Sequence, residues 1–216
     1  MTSITVDAQL MYRMFGGIYY EQELPNYSLS EVSTTQAVQC LTKSFSERRF
    51  KRAPAEPKTV ILSFGRLVHI GLQQQLRKVG YETEVEKAYD LENCTLWTHA
   101  DAIHSDHVLE IKTCSSIPHN ILYHHFLQAN TYAMVHGKTK GHVVYVHKPS
   151  GICKVMDFVP NTDSFILVCA RAMRLAKYLH DNVMPPPEPS WLCQYCEYLD
   201  ICPLKRGRNR PTNSIL

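Results

Sequence analysis

The sequence predicts an α/β domain with a mixed central sheet flanked by helices. The chain has 216 residues, of which 44% are hydrophobic and 20% charged, and this composition suits one domain with a substantial core. Segments with the period of two that is typical of strands alternate with segments of helical period. No apolar run approaches the roughly 20 residues that a membrane span needs. These observations exclude a disordered chain and an integral membrane protein, and we expect a cytoplasmic protein without a signal peptide.

The predicted elements follow in the order helix, three strands, helix, two strands and helix. Before them, residues 33–35 offer N-caps for a short helix that holds Cys40, and 51–58 are typical of a loop. The first long helix carries a stripe of apolar residues at helical spacing from Leu62 to Val79. The helices are predicted at 60–79, 121–135 and 164–179, and the strands at 81–89, 94–103, 108–114, 142–147 and 153–159.

Two carboxylates and a lysine are expected to converge at one hairpin. If the turn between the second and third strands is centred on Ser105-Asp106, Asp101 lies directly opposite Glu110. Like charges in that position destabilise a sheet, whereas a divalent cation between them removes the repulsion, and oxygen ligands suit Mg²⁺ or Mn²⁺. Alternation along the strand puts Lys112 on the face of Glu110, where it can orient or deprotonate a water molecule. A surface ion pair is the commoner origin of a single Glu-x-Lys, so the neighbouring motifs decide between the two interpretations.

Three residues on the adjacent helices favour the interpretation as a site. His69 lies on the helix before the hairpin, and Gln128 and Tyr132 are four residues apart on the helix after it, hence on one face. The motifs of RecB-type nucleases of the PD-(D/E)xK superfamily resemble four segments of this chain, in the same order: Gly65-Arg66-Leu67-Val68-His69, Ala100-Asp101-Ala102-Ile103, Glu110-Ile111-Lys112-Thr113 and Gln128-Ala129-Asn130-Thr131-Tyr132.

The resemblance implies a RecB-like core and a role for each matched residue. In that family the His, the Asp and the Glu hold the metal with a backbone carbonyl, the Lys serves the attacking water, and the Gln and Tyr contact DNA or support the Lys. These roles fall on His69, Asp101, Glu110 and the carbonyl of Ile111 for the metal, and on Lys112, Gln128 and Tyr132 for the remaining functions. Glu84 and Glu86, on the preceding strand, are secondary candidates for a supporting carboxylate.

Three of the eight cysteines crowd near the C-terminus in the pattern C-x2-C-x5-C-P, at Cys193, Cys196 and Cys202. A reducing compartment disfavours disulfides, whereas three thiolates this close can share one metal centre that needs a fourth ligand. Cys40 is the leading candidate for that ligand, and the spacing alone leaves zinc and iron–sulfur open. The other cysteines are interpreted as small apolar residues: Cys94, Cys114, Cys153 and Cys169.

Over about residues 30–204, this combination of core and cysteines resembles the CRISPR-associated RecB-like exonucleases (the Cas4 family), and also the iron–sulfur nuclease module of some helicase–nucleases. The resemblance implies that Cys40, Cys193, Cys196 and Cys202 bind an iron–sulfur cluster, of the 4Fe–4S type in most members of the family and 2Fe–2S in some. Members often have Pro and Arg after the first Cys, whereas Leu41-Thr42-Lys43 follow Cys40 here.

We expect one nuclease domain across residues 1–216. Its core covers about 59–180, the segments 30–50 and 190–204 join as a cluster-binding appendage, and 205–216 form a basic tail. A phosphate-binding loop is not expected, because Tyr132 stands where the first glycine of such a motif would precede Gly137-Lys138-Thr139. The sequence therefore indicates no nucleotide triphosphate as a partner.

The resemblance implies a metal-dependent DNA nuclease. In the family the usual activity is 5′→3′ exonuclease action on single-stranded DNA or DNA ends, sometimes with endonuclease action. The implied biological role is pre-spacer processing in CRISPR adaptation, with the CRISPR integrase proteins as partners. Two alternatives stay open: a viral or recombination- or replication-associated iron–sulfur nuclease, and a non-catalytic DNA-binding assembly subunit with a redox-sensitive cluster.

Overall fold

The computed structural model of the chain describes residues 8–20, 27–52 and 56–206. None of the helices in this part is long and apolar enough to cross a membrane. The helices are α1 (Ala8–Tyr20), α2 (Thr34–Val38), α3 (Leu41–Phe50), α4 (Glu56–Lys78), α5 (Tyr123–Val135), α6 (Thr162–Asp181) and α7 (Pro203–Arg206), with a 3-10 helix at Trp191–Tyr195. The strands are β1 (Glu31–Ser33), β2 (Glu82–Asp90), β3 (Thr95–His104), β4 (His107–Cys114), β5 (Lys140–His147) and β6 (Cys153–Phe158).

The six strands form one mixed sheet, which confirms the predicted fold class. β1 runs parallel to β3 and β4 runs parallel to β5, whereas the β2–β3, β3–β4 and β5–β6 pairs are antiparallel. The strand order is β1-β3-β4-β5-β6, with β2 paired to β3 outside this path. Helix α5 provides the crossover that a parallel β4–β5 pair requires.

The middle of β3 has a neighbouring strand on one edge only. β2 pairs along β3 from Thr95 to Ile103, so β1 and β4 share the opposite edge. On that edge β1 covers 95–97 and β4 covers 102–104. Residues 98–101 lie between these two ladders, and we call this stretch of β3 the seam. Backbone groups that face the seam need partners other than a strand.

Side-chain caps fix the beginnings of the helices that surround the sheet. Ser33 begins α2 with a capping box, because its hydroxyl accepts from the N–H of Gln36 while the Gln36 side chain accepts from the N–H of Ser33. Asn161 begins α6 by accepting a hydrogen bond of 2.8 Å from the N–H of Ser164. These caps place α2 directly after β1 and α6 shortly after β6.

The largest part of the core lies where α6 packs with α2, α3 and the beginnings of β1 and β3. Its members are mostly aliphatic, and burial of each large side chain contributes roughly 1.5–3 kcal/mol. A second cluster lies between α5 and the strands of the hairpin β3–β4. The first cluster includes Val32, Leu41, Leu96, Val168, Leu175 and Leu179, and the second includes Ala100, Ile103, Val108, Tyr132 and Ala133.

Helix α4 is oriented opposite to the usual rule that an amphipathic helix buries its apolar stripe. Leu62, Leu67 and Ile70 of the stripe are 37%, 43% and 40% exposed. The buried positions of α4 are instead polar: Thr59, Ser63 and Gln73. The periodicity predicts the helix correctly, but the inward side is the polar one.

The structure also differs from the sequence prediction elsewhere. β1 is not predicted, because three residues carry too little periodic signal. Cys40 is the N-cap of α3 and does not lie inside a helix, because α2 ends at Val38. Helix α4 begins at Glu56, within the segment 51–58 that is typical of a loop, and residues 53–55 of that segment lie outside the described residues.

Candidate active site

Asp101 lies in the seam, where β3 and β4 diverge. The predicted hairpin register is confirmed, since Ala102 pairs with Leu109 and His104 with His107. The ladder stops there, and the expected backbone pair of Asp101 with Glu110 is not formed. Instead the N–H of Ile111 donates to Oδ2 of Asp101 at 2.6 Å. The carboxylate thus takes the place of a strand as the partner of this backbone group.

Helix α4 brings His69 to the same point. Its Nδ1 lies 3.2 Å from Oδ1 of Asp101. Burial alone would lower the pKa of His69, but the hydrogen bond and charge of Asp101, together with the charge of Glu110, raise it above the ordinary value. Gly65, one turn earlier, allows the close approach, because a Cβ there would lie 3.0 Å from Oγ1 of Thr113 on β4.

Glu110 is a buried carboxylate with one unpaired oxygen. The residue is 2% exposed, and its Oε1 lies 2.6 Å from Nζ of Lys112. Its Oε2 is buried without a hydrogen-bond partner. Burial first, and then the charge of Asp101, raise the pKa of Glu110 to about 7 despite the opposing effect of Lys112. An unpaired buried oxygen of this kind is costly unless a ligand satisfies it.

Helix α5 completes the surroundings of Lys112. Oε1 of Gln128 accepts from Nζ of Lys112 at 2.8 Å, and Nε2 of Gln128 donates to the hydroxyl of Tyr132 at 2.8 Å. Burial would lower the pKa of Lys112, but Glu110 holds it above its ordinary value. The lysine is therefore a cation whose ammonium group is held by both Glu110 and Gln128. Tyr132 is 2% exposed, and burial raises its pKa well above the ordinary value.

The structure therefore brings the sequence-predicted site together through direct contacts or chain adjacency. The set comprises His69, Asp101, Glu110, Ile111, Lys112, Gln128 and Tyr132. Of the secondary candidates, Glu86 lies elsewhere, with its carboxylate 3.1 Å from Nδ1 of His99. Glu84 lies next to the site: it falls opposite Asp101 in the β2–β3 register and accepts from the side-chain amide of Gln73.

Two residues of the site's surroundings are absent from the sequence-based prediction. Gln73 follows His69 by one helical turn and is 3% exposed, and that spacing on α4 is the signal that could have indicated it. Tyr145 is opposite Lys112 in the β4–β5 register, and its hydroxyl contacts Nδ1 of His125 at 2.9 Å. Burial and the charge of Lys112 lower the pKa of His125 to about 2, so that ring is neutral.

The donors at the seam fit a divalent cation. They are carboxylates, one imidazole and a backbone carbonyl, and one buried carboxylate oxygen lacks a partner. In the part of the chain that the structure describes, no three His, Cys, Asp or Glu side chains stand together as a metal-binding group. The carboxylates are engaged instead with His69, Lys112 and the N–H of Ile111.

Cys40 and the three C-terminal cysteines are free thiols of intermediate exposure. Cys193 lies in the 3-10 helix, Cys196 follows that helix directly, and Cys202 precedes α7. As unpaired thiols on two segments of the chain, they have the donor chemistry of an iron–sulfur cluster, but the structure does not bring any three of these four described cysteines together as a metal-binding group. Cys94 and Cys169 are buried in the core and Cys114 is half-buried, which suits their interpretation as small apolar residues, whereas the exposed position of Cys153 does not suit it.

The basic residues at the end of α3 hold the structure together. Arg48 donates to the backbone carbonyls of Tyr27, Ser28 and Glu31. Arg49 donates to the carbonyl of Leu179, and the guanidinium of Arg52 lies 2.6 Å from Asp200. The last contact joins the end of α3 to the segment that carries the C-terminal cysteines. Residues 207–216 of the predicted basic tail lie outside the described residues.

The family model of the PD-(D/E)XK nuclease superfamily (PDDEXK_1) matches residues 79–203, which is more than half of the chain. The chain therefore belongs to this superfamily of nucleases. It is similar to the CRISPR-associated exonuclease Cas4 of Saccharolobus solfataricus, with 29% identity over 192 residues that cover 81% of this chain and 88% of that protein. This similarity confirms the resemblance that the motifs indicate.

Two solved structures share the fold. The crystal structure of SSO0001 matches with a TM-score of 0.71 and 23% identity, covering 92% of this chain and 97% of that chain. The structure of LHK-Exo in complex with dAMP matches with a TM-score of 0.50 and 11% identity, covering 71% of this chain and 90% of that chain.

Proposed function

We propose that this nuclease is a metal-dependent DNA exonuclease of the RecB type. The observation that carries the proposal is the buried, unpaired Oε2 of Glu110 beside Asp101 and Lys112. A purely structural set would satisfy this oxygen from within the protein. A divalent cation satisfies it from outside and also removes the repulsion between the two carboxylates.

His69, Asp101, Glu110 and the carbonyl of Ile111 would hold Mg²⁺ or Mn²⁺. When bound, such an ion stabilises the negative charge that develops on the scissile phosphate. Lys112 lies beside Glu110 and is held by Gln128, so its ammonium group orients the attacking water.

The proposed substrate is single-stranded DNA or frayed DNA ends, cut in the 5′→3′ direction and in some cases internally. The similarity to an exonuclease named Cas4 supports a role in CRISPR adaptation, with pre-spacers as substrates and the integrase proteins as partners. The proposed location is the cytoplasm. The open alternatives are a nuclease of viral or repair systems and a DNA-binding subunit without catalysis.

The proposal includes an iron–sulfur cluster held by Cys40, Cys193, Cys196 and Cys202. Its support is the donor set of four free thiols and the contact of Arg52 with Asp200, which joins the two segments. The core at about 59–180 would then carry the nuclease, and 30–50 with 190–204 the cluster-binding appendage. We give this cluster a structural role.

A single substitution tests the nuclease. We expect Glu110→Ala to reduce Mn²⁺-dependent cleavage of labelled single-stranded DNA by about 10³-fold or more, because the metal loses a ligand. Glu82→Ala is the matched control, since Glu82 lies exposed on β2 and pairs through its backbone with Ile103. Unchanged cleavage by a folded Glu110→Ala protein contradicts the proposal. Tight DNA binding by the wild type without metal-dependent cleavage supports the non-catalytic subunit instead.

A further inference from the structure

Cys40 lies in the short link between α2 and α3, and both of its neighbours in the chain are held by one ion pair. Arg171 of α6 donates to the carbonyl of Gln39 through Nη2 at 2.6 Å. It also donates to the carbonyl of Ala37 through Nε at 2.7 Å. On the other side of Cys40, the N–H of Leu41 donates to Oε2 of Glu188 at 2.9 Å. The peptide groups on both sides of this cysteine therefore have partners that lie far away in the sequence.

Arg171 and Glu188 also bind one another. Nη1 of Arg171 lies 2.6 Å from Oε1 of Glu188, and Nη2 lies 2.9 Å from Oε2, which is a bidentate pair. The Arg171 side chain is 16% exposed. Burial would raise the pKa of Glu188, but the hydrogen bonds from Arg171 and from the N–H of Leu41 lower it below its ordinary value. The Glu188 side chain is 34% exposed, so the pair is ionised, directional and partly shielded from solvent.

The carboxylate of Glu188 does what an N-cap side chain usually does. Cys40 is the N-cap of α3, and its side chain makes no capping hydrogen bond. The first N–H groups of a helix lack partners within the helix, and the N-cap side chain is the usual source of one. Here Glu188 supplies an acceptor from a distant segment. The thiol of Cys40 is consequently left free of any capping duty.

Glu188 belongs to a proline-rich spacer that leads into the C-terminal cysteines. The hydroxyl of Thr42 donates to the carbonyls of Pro185 and Pro186, each at 3.1 Å, so the spacer lies against the first turn of α3. Proline restricts the backbone of such a segment. Glu188 is five residues before Cys193, so its contact with the first turn of α3 sets where the cysteine segment begins relative to that helix.

We propose that Arg171 and Glu188 are positioning residues that tie the backbone around Cys40 to the spacer before the C-terminal cysteines and so govern retention of the iron–sulfur cluster. The inference rests on the cluster that the proposed function includes. The pair orients the backbone on either side of Cys40 and donates nothing to the cluster itself.

The test compares four proteins purified without air: the wild type, Glu188→Ala, Glu188→Gln and Lys177→Met. Glu188→Ala removes both the ion pair and the acceptor for Leu41, whereas Glu188→Gln keeps an acceptor. Lys177→Met is the matched control, because it removes an exposed ion pair with Asp181 from the same helix. Iron per chain, the rate of bleaching in air and the rate of Cys40 alkylation after removal of iron are measured, with thermal unfolding to verify the fold.

We expect Glu188→Ala to bleach and to alkylate at Cys40 about tenfold faster than the wild type, since charge-assisted hydrogen bonds are lost. Glu188→Gln should lie between the two, and Lys177→Met should match the wild type. Wild-type rates in a folded Glu188→Ala protein overturn the inference, as does an equal effect of Lys177→Met. A wild type without iron removes the cluster, and the alkylation rate of Cys40 then decides alone whether the pair positions this cysteine.

Discussion

The active site beside the seam and the proposed cysteine appendage differ in the elements and contacts that hold their functional side chains. At the seam, the functional side chains project from long strands and helices, and Glu110 is 2% exposed. In the proposed appendage, the cysteines lie in or beside short elements. The contacts that join 190–204 to the end of α3 are polar and partly exposed, as in the pair of Arg52 with Asp200 at 35% and 51% side-chain exposure. The first region is held by long strands and helices of the sheet. In the second, residues 30–50 pack into the main core through Leu41 and Phe45, whereas 190–204 attach to the end of α3 through an ion pair and hydrogen bonds.

This difference indicates where each region obtains its stability. The active site beside the seam contains an unfavourable group, the unpaired Oε2 of Glu110, that a cation would satisfy. The segment 190–204 contributes one buried hydrophobic residue, Tyr198, and units with so small a core usually depend on a metal or a disulfide. Substitutions in the active site should therefore lower the rate of cleavage, and substitutions in the appendage should lower the stability of the folded protein.

Lys112→Met should give the largest effect. The variant loses the ammonium group beside Glu110, and we expect cleavage to fall by about 10²-fold or more, because the attacking water loses the group that orients it. Single-turnover cleavage with saturating Mn²⁺ measures it. Lys140→Met, at an exposed lysine of β5 that pairs with Asp106, is the control. Full activity of Lys112→Met would show that the lysine supports structure only.

Cys193→Ala should give the next largest effect, on the stability of the cysteine region. We expect the variant to lose its colour and iron, and to unfold several degrees lower, because a metal-bound thiolate contributes directly to folding. Visible absorption, iron analysis and thermal unfolding measure this. Cys153→Ala, at an exposed cysteine of β6, is the control. A Cys193→Ala protein that stays coloured and equally stable would remove this residue from the ligand set.

Glu188→Gln tests how the stability of the protein depends on pH through the pair of Arg171 with Glu188. The pKa of Glu188 is lowered in the folded protein, so its contribution to stability is present above the unfolded value near 4.5 and is lost as pH falls below it. We expect the wild type to exceed the variant in unfolding free energy by up to about 1 kcal/mol at pH 7, the amount typical of a solvent-screened, partly exposed ion pair. Urea unfolding at pH 7 and pH 3.5 measures the difference, which should shrink at the lower pH. A difference that does not depend on pH would contradict the assignment to this ion pair.

Arg52→Ala should give the smallest effect. Its pair with Asp200 is exposed, and exposed ion pairs contribute little to stability. We expect little change in unfolding free energy and no change in cleavage. Urea unfolding at low and high salt measures it, since screening weakens exposed pairs. A larger loss of stability than in Glu188→Gln would mean that the appendage depends on this contact more than on Glu188.

The sequence predicts most of the site because its residues lie on regular elements with local signals. The turn at Ser105-Asp106 sets the register that brings Asp101 near Glu110, and helical spacing relates Gln128 to Tyr132. The order of elements follows from periodicity in the same way. These features need only the geometry of neighbouring segments.

What the sequence does not predict depends on contacts between distant polar groups. Arg171 reaches residues 132 and 134 positions away, and no local pattern announces such a partner. The polar inward side of α4 is not predictable from its period, because a period gives a helix without saying which side is covered. β1 escapes prediction through its length, and with it the seam, which exists because β1 ends before β4 begins to pair.

The seam has a consequence for spectroscopy. The amide proton of Ile111 is held by the carboxylate of Asp101, whereas the amides of the ladders on either side are held by neighbouring strands. Exchange of a backbone proton with solvent follows the opening of its own hydrogen bond. The exchange rate of this amide therefore reports how often the carboxylate of Asp101 moves away. Hydrogen exchange at Ile111 can be measured in the absence of substrate.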